Sequence, residues 1–367
     1  TDAPLYGYPV GTWGPLESEA MMHEHGAYTQ FRSAFSDLLN IYGEMRSNWY
    51  ESGAVNDAFF NRVGTNVLLS GDAGTNWSSI YTTINSANLI LKHTPEISFT
   101  NEATRNEVMA NAYFLRAYCY FTLVRVFGDC PLLTSGFESE KQEDMYPSRT
   151  AASEVYAQVE TDIEEALRLM PASSKLLHKA SPAAINMLRT EYYLWKAKRL
   201  GGGNAALSTA QSSVDAVLKA GYALLPTFAD IFNLNNEANS ELIWTLPYIV
   251  NENVTPGTSP NFFAYYLAPN GDRTRLREAG YTEDEVPAGS HAQYVVPTQA
   301  YCDFLAEDAR DTRTDVSVRV FEDKFLTEEV QIKRMVVKFK GSFANDTRSF
   351  DSDVPVYRLA EAYLLKA

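Results

Sequence analysis

The chain has 367 residues, a length that points to about two domains, and 45% of them are hydrophobic, enough for a sizeable core. With 31 Lys and Arg against 46 Asp and Glu, the formal charge is −15. That balance argues against recognition of nucleic-acid phosphates, or of anionic lipid headgroups, by clustered cations. No stretch reaches the roughly 20 apolar residues of a membrane-spanning helix, and Cys119, Cys130 and Cys302 have no Cys-x-x-Cys spacing, which argues against a disulfide framework or zinc knuckle.

The chain opens at Thr1-Asp2-Ala3-Pro4 with neither a charged leader nor an apolar run, so any targeting segment has been removed or never existed. Helical periodicity then dominates. Met22, Tyr28, Phe31 and Phe35 mark one face of a helix over 19–35, and Trp77, Tyr81, Ile84, Asn88 and Leu91 mark another, ending near His93 before Pro95. The segment 101–127 is apolar nearly all round at its centre and is expected to lie deep in the fold, stopped by Gly128 and Pro131. Thr150 offers an N-cap for a helix over 151–170. Ser181-Pro182 starts the next, which runs to Leu200. Gly201-Gly202-Gly203 then turns the chain into a partner helix over 205–220, making an αα-hairpin of about the period of helical-hairpin repeats.

Glu241 to Tyr248 reads as a short strand. The stretch 249–297 is rich in Pro, Gly and aromatic residues and too long for an ordinary connection, so it is a functional insertion or a small irregular subdomain. A charged segment over 303–319 follows, then a strand over 331–340 and a helix from Pro355 to Ala367, past which the chain is expected to continue.

Catalytic patterns are weak. His23-Glu24-His25 places its imidazoles about 200° apart on a helix, unlike the i, i+4 spacing of zinc sites. No Gly-x-Ser-x-Gly elbow, phosphate loop or dinucleotide fingerprint occurs. Glu283-Asp284-Glu285 and the carboxylates between Asp303 and Asp315 are numerous enough for glycoside hydrolysis, but Arg310, Arg313 and Arg319 interleave with the second cluster like a surface ion-pair network. The unusual feature is aromatic content, 13% with 22 Tyr and 5 Trp. Trp77, Trp195 and Trp244 lie in core patterns, whereas Trp49, Tyr50, Phe262, Phe263, Tyr265 and Tyr266 fall in loops. Flat rings with a polar handle suit sugars, whose C–H faces pack on the ring while hydroxyls meet the OH or N–H.

The run from Arg116 through Tyr118, Tyr120, Phe121, Gly128, Asp129 and Pro131 to Leu132 resembles the signature of the SusD/RagB proteins. Further matches follow that family's order: Trp77, Tyr81, Ile84 and Asn88; Tyr146 to Arg149 leading to Val155, Tyr156 and Asp162; Asn239 to Trp244; Pro297-Thr298-Gln299; and Arg358 to Glu361. The resemblance implies surface nutrient-binding lipoproteins that work with TonB-dependent outer-membrane transporters in Bacteroidetes. It also implies a mainly helical, all-α fold with tetratricopeptide-like hairpins, an irregular loop-rich subdomain and a few short strands. On this basis 1–240 is expected to form the helical region, and 241–367 the loop-rich ligand-binding region returning to a helix.

The function so implied is non-enzymatic capture of an oligosaccharide for a SusC-like transporter, at the outer-membrane surface, held by a lipid anchor upstream of Thr1. No cofactor, metal or nucleic acid is implied. Trp49, Tyr50, Tyr265 and Tyr266 are the candidate ligand-binding residues, from composition and loop placement. A peptide ligand, as in the RagB branch, a helical glycoside hydrolase and a scaffold that binds only proteins are the rivals.

Overall fold

The computed structural model describes residues 13–53, 58–139, 147–249, 277–278, 280–282, 285–286, 295–323 and 331–367. The fold is mainly helical with a few short strands. It divides into two compact units that alternate along the chain. The first comprises 1–34, 77–222 and 357–367, and the second 35–76 and 223–356, so residue 240 lies inside the second.

The first unit is a stack of antiparallel helices. Helix α1 (Glu17–Tyr42) contributes its N-terminal part; α3 (Ser78–His93), α4 (Glu102–Phe127), α5 (Ala152–Leu169), α6 (Pro182–Arg199), α7 (Gly203–Leu218) and α11 (Leu359–Lys366) supply the rest. Helix α4 is the axis. Residues Val108, Ala110–Ala112 and Phe114–Val124 are buried, because its middle has no polar face to offer water. It packs against α3 and α5, while α6 pairs with α7 and α11 lies on α7. Each fully buried Leu or Phe in such a core contributes about 1.5–3 kcal/mol.

The caps explain the boundaries. Asn101 Oδ1 accepts from Ala103 N at 2.9 Å to start α4, and Ser181 Oγ accepts from Ala184 N at 3.2 Å to start α6 with Pro182 at its first position. The α6–α7 turn needs Gly201, whose φ is +73°.

Three local expectations change. Thr150 does not cap α5; Ala151 takes the N-cap position, Ala152 N donates to Asp129 Oδ1 at 2.9 Å, and Thr150 Oγ1 instead accepts from Leu132 N. Met22 is exposed rather than on the apolar face of α1. Val354–Arg358 is a strand, β8, so the last helix begins only at Leu359. Pro355 and its β-branched neighbours Val354 and Val356 fit an extended two-stranded pair better than a helix turn.

The second unit holds the remaining part of α1, α2 (Ala58–Gly64), α8 (Phe228–Ile231), α9 (Gln299–Ala306) and α10 (Thr314–Ser317). Its strands join in pairs. β1 (Tyr50–Ser52) pairs with β3 (Val295–Pro297), β2 (Leu242–Leu246) with β8, β4 (Val318–Asp323) with β5 (Gln331–Val336), and β6 (Ser342–Ala344) with β7 (Thr347–Ser349). β2 is buried along its whole length, with Trp244 fully enclosed. Val286, Met335 and Val337 form a small core with Tyr281, Phe321 and Phe350 packed on it.

Gly341 enters β6 at φ +64°, where an added Cβ would stand 1.9 Å from Ser349 O. Both the left-handed backbone and the collision with fixed main chain oppose any side chain there. Gly341→Ala is therefore expected to cost about 2 kcal/mol, measured as a lower urea midpoint at unchanged m.

Candidate functional site

The loop that leaves α1 carries a 3₁₀ turn, Glu44–Arg46, and then rises into β1. Antiparallel register sets Tyr50 opposite Pro297, Glu51 opposite Val296 and Ser52 opposite Val295. One residue further, Thr298 N donates to Trp49 O at 2.8 Å, and Thr298 Oγ1 accepts from Tyr301 N as the N-cap of α9. The strand pair thus delivers Trp49 to the first turns of α9. There Tyr301 and Phe304, three residues apart, share a helix face.

The result is an aromatic cluster. Trp49 lies 4.9 Å from Tyr301 and 5.4 Å from Phe304, its ring only 28° from parallel with the latter, and Tyr50 lies 5.9 Å from Tyr301. Two of these rings face water: Trp49 is 39% exposed and Phe304 51%. Tyr50 and Tyr301 are half-buried, so the open rings rest on partly enclosed ones that hold their orientation.

Polar groups surround the rings. Tyr50 OH donates to Glu44 Oε2 at 2.9 Å, Arg46 Nε donates to Asn66 Oδ1 at 2.7 Å, Arg334 pairs with Glu51 at 2.7 Å and Gln299 Nε2 donates to Asp303 Oδ1 at 2.8 Å. Burial, reinforced by the Glu44 carboxylate, pushes both phenols above their ordinary range. Both therefore stay protonated at neutral pH, and the Tyr50 O–H is the one given to Glu44. Cys302, between the two α9 rings, is buried and its thiol is raised by that burial, so it acts as a packing residue.

Of the four sequence candidates, the structure places Trp49 and Tyr50 together, and Tyr265 and Tyr266 lie outside the described residues. Tyr301 and Phe304 were missed. Their signal is an aromatic pair at i, i+3 shortly after Pro297-Thr298, with Phe304 inside the charged segment 303–319 and Tyr301 just before it. The acidic cluster beside them is an ion-pair network: Arg310 pairs with Asp308 at 2.7 Å and Arg313 with Asp311 at 2.5 Å. The hydrogen bonds from Arg313 hold the Asp311 carboxyl down at about 2. Among the described residues no cluster of His, Cys, Asp and Glu could hold a metal ion, and no helix is long and apolar enough to cross a membrane.

A SusD-like family model described as "Starch-binding associating with outer membrane" matches residues 19–193. SusD-like protein P38 of Formosa agariphila is 29% identical over 266 residues, 66% of this chain and half of its own length. SusD-like protein P2 of the same organism is 26% identical over 305 residues, 79% of this chain and 57% of its own. The chain is similar to SusD-like proteins over these residues. A SusD superfamily protein from Bacteroides vulgatus superposes with TM-score 0.81 at 25% identity, over 96% of this chain and 74% of that one. A laminarin-binding SusD-like protein shares the fold, with TM-score 0.72 at 18% identity, over 96% of this chain and 80% of that one. The chain thus spans about half the length of the curated relatives it matches.

Residues of the SusD/RagB resemblance meet in the first unit. Arg116 donates to Asp162 through Nε at 2.8 Å and Nη2 at 2.7 Å, and through Nη1 to Asn88 Oδ1 at 2.8 Å. Asn88 Nδ2 in turn donates to Leu133 O at 2.9 Å. The motif is a buried polar knot that ties α3, α4, α5 and the 131–135 loop.

Proposed function

We propose that the chain captures a glycan on the cluster of Trp49, Tyr50, Tyr301 and Phe304 and hands it, unaltered, to a TonB-dependent outer-membrane transporter at the cell surface. The observation that carries this reading is the pair of water-facing, nearly parallel rings of Trp49 and Phe304. Exposed aromatic area rimmed by hydroxyl, amide and carboxylate groups matches the two-sided surface of a sugar: C–H faces for the rings, hydroxyls for the rim. Similarity to a family model described as starch-binding supports it, as does a structural relative that is itself named for binding laminarin. Tyr265 and Tyr266 remain proposed partners of the same surface, and a lipid anchor upstream of Thr1 remains the proposed attachment.

A binder rather than a hydrolase is favoured because nearby carboxylates are already engaged, Asp308, Asp311 and Glu51 by arginines, Glu44 by Tyr50 and Asp303 by Gln299. A general acid needs a raised pKa, and Asp311 is held low. A glycan array followed by calorimetry on the hits tests the reading. Trp49→Ala and Phe304→Ala are each expected to weaken glycan binding at least tenfold, about 1.4 kcal/mol, while Trp49→Phe retains most of it. Unchanged affinity in both alanine variants, or release of reducing sugar by the wild-type chain, discards it. Transporter delivery is tested by co-purification with a co-expressed SusC-like transporter, and failure to co-purify counts against it.

A further inference from the structure

A second concavity in the second unit shares no lining residue with the aromatic cluster. Its volume is about 500 Å³, and it is lined by α8 and the residues after it, by α10 and the start of β4, and by the chain that follows β5. That size lies within the range of small-molecule sites, about 300–1,000 Å³. Three cations line it: Arg319 from β4, and Lys338 and Lys340, which flank buried Phe339. The Lys338 ammonium sits over the Phe232 ring, 4.9 Å from its centre, which fixes the position of that charge. Asn233 and Asn235, both exposed, line it as well.

Three carboxylates also line the pocket, but two already serve as local caps. Thr227 Oγ1 donates to Asp230 Oδ2 at 2.8 Å, and Thr282 donates to Glu285 Oε2 through both N and Oγ1 at 2.9 Å. Asp315 is the third. Arg319 shows the opposite condition. Arg319 Nε is buried and has no hydrogen-bond partner among the described residues. A buried donor of a charged group left unpaired is costly, and an incoming oxygen acceptor removes that cost.

We propose that this pocket is a separate subsite for a sugar that carries a carboxylate. Arg319 donates a charge-assisted hydrogen bond to the carboxylate, and Lys338 and Lys340 stabilise its charge. The Asn233 and Asn235 amides meet the hydroxyls, each able both to donate and to accept. A bare anion would leave the amides unused; a neutral sugar would leave the guanidinium without its strongest partner. That the ligand is a sugar rests on the glycan reading above; that it brings an anionic oxygen rests on the pocket alone.

The test is ligand-observed NMR titration of the full chain with glucuronate, glucose and acetate as separate probes. Wild-type and Trp49→Ala chains are expected to bind glucuronate equally, at least tenfold tighter than either glucose or acetate. Arg319→Ala should lose at least tenfold, and Arg319→Lys, which keeps the charge and guards against misfolding, should fall between. Glucuronate binding that is absent from the wild type, or untouched by both Arg319 variants, overturns the proposal. Acetate binding as tightly as glucuronate overturns the sugar assignment, and glucose doing so overturns the carboxylate. Absence of neutral-glycan binding by the wild-type chain, with glucuronate binding intact, would count against the glycan-capture reading alone.

Discussion

Asp162→Ala is expected to lower the unfolding free energy by about 4 kcal/mol, a cost typical of breaking a buried ion pair from one side. The Arg116 and Asp162 side chains are 6% and 0% exposed. Burial opposes the Arg116 charge, but the hydrogen bonds and charge of Asp162 outweigh it and raise the guanidinium above its ordinary value. Removing the carboxylate leaves that charge in the helix stack with Asn88 Oδ1 as its remaining side-chain acceptor. Gln158, which donates to Asp162 Oδ1 at 2.8 Å, loses its partner as well. Replacing both ions by apolar residues of similar size, Arg116→Met with Asp162→Leu, should restore much of the loss, since neither charge then needs a partner. Urea unfolding followed by circular dichroism reads both results. A single-variant cost below 1 kcal/mol would show that the pair is not enclosed as described.

Stability is expected to fall as pH rises from about 5 to about 8, and Glu361→Gln should remove that part of the slope. Glu361 lies on α11, where burial and then the Glu191 carboxylate raise its pKa to about 8, with Arg358 opposing. In the unfolded chain the same group titrates near 4.5. Between these values the unfolded chain has released its proton and the native one still holds it, so alkali favours unfolding. Below pH 4.5 both states are protonated and nothing is lost; above pH 8 the penalty is complete. Discounted for its residual contact with water, the effect is about 3 kcal/mol. Glu361→Gln, neutral throughout, should match the wild type near pH 4.5 and exceed it by about that amount above pH 8. Parallel curves for the two chains would refute the assignment. Tyr357 OH donates to Glu191 Oε2 at 2.6 Å, which keeps Glu191 in place as the neighbouring charge.

What could be read from residues alone follows physical range. Asn101 and Ser181 announced the starts of α4 and α6 because a cap acts within three residues. The apolar girth of α4 announced its central position for the same local reason. Thr150 misled because the donor at the start of α5 is satisfied by Asp129, 23 residues upstream, a partner no window reveals. Val354–Arg358 passed for helix because Leu359 onward is helical, and strand pairing with β2 is a long-range choice. The aromatic cluster shows both cases. Trp49 and Tyr50 stood out as loop aromatics, yet Tyr301 and Phe304 reach them only through the β1–β3 pairing, across some 250 residues of chain. Arg116, Asn88 and Asp162 were legible as a signature, but their convergence into one ion pair was not, since spacing carries no information about burial.

The alternation of the two units along the chain has a consequence for biogenesis. Helix α11 docks on α7, yet 140 residues separate Leu218 from Leu359, and nearly all of them belong to the other unit. As the ribosome delivers the chain from its N-terminus, α7 must wait with its apolar flank uncovered while that entire intervening stretch is made. Order of synthesis and order of assembly therefore diverge, and a holdase that shields nascent helices would act most usefully in that interval.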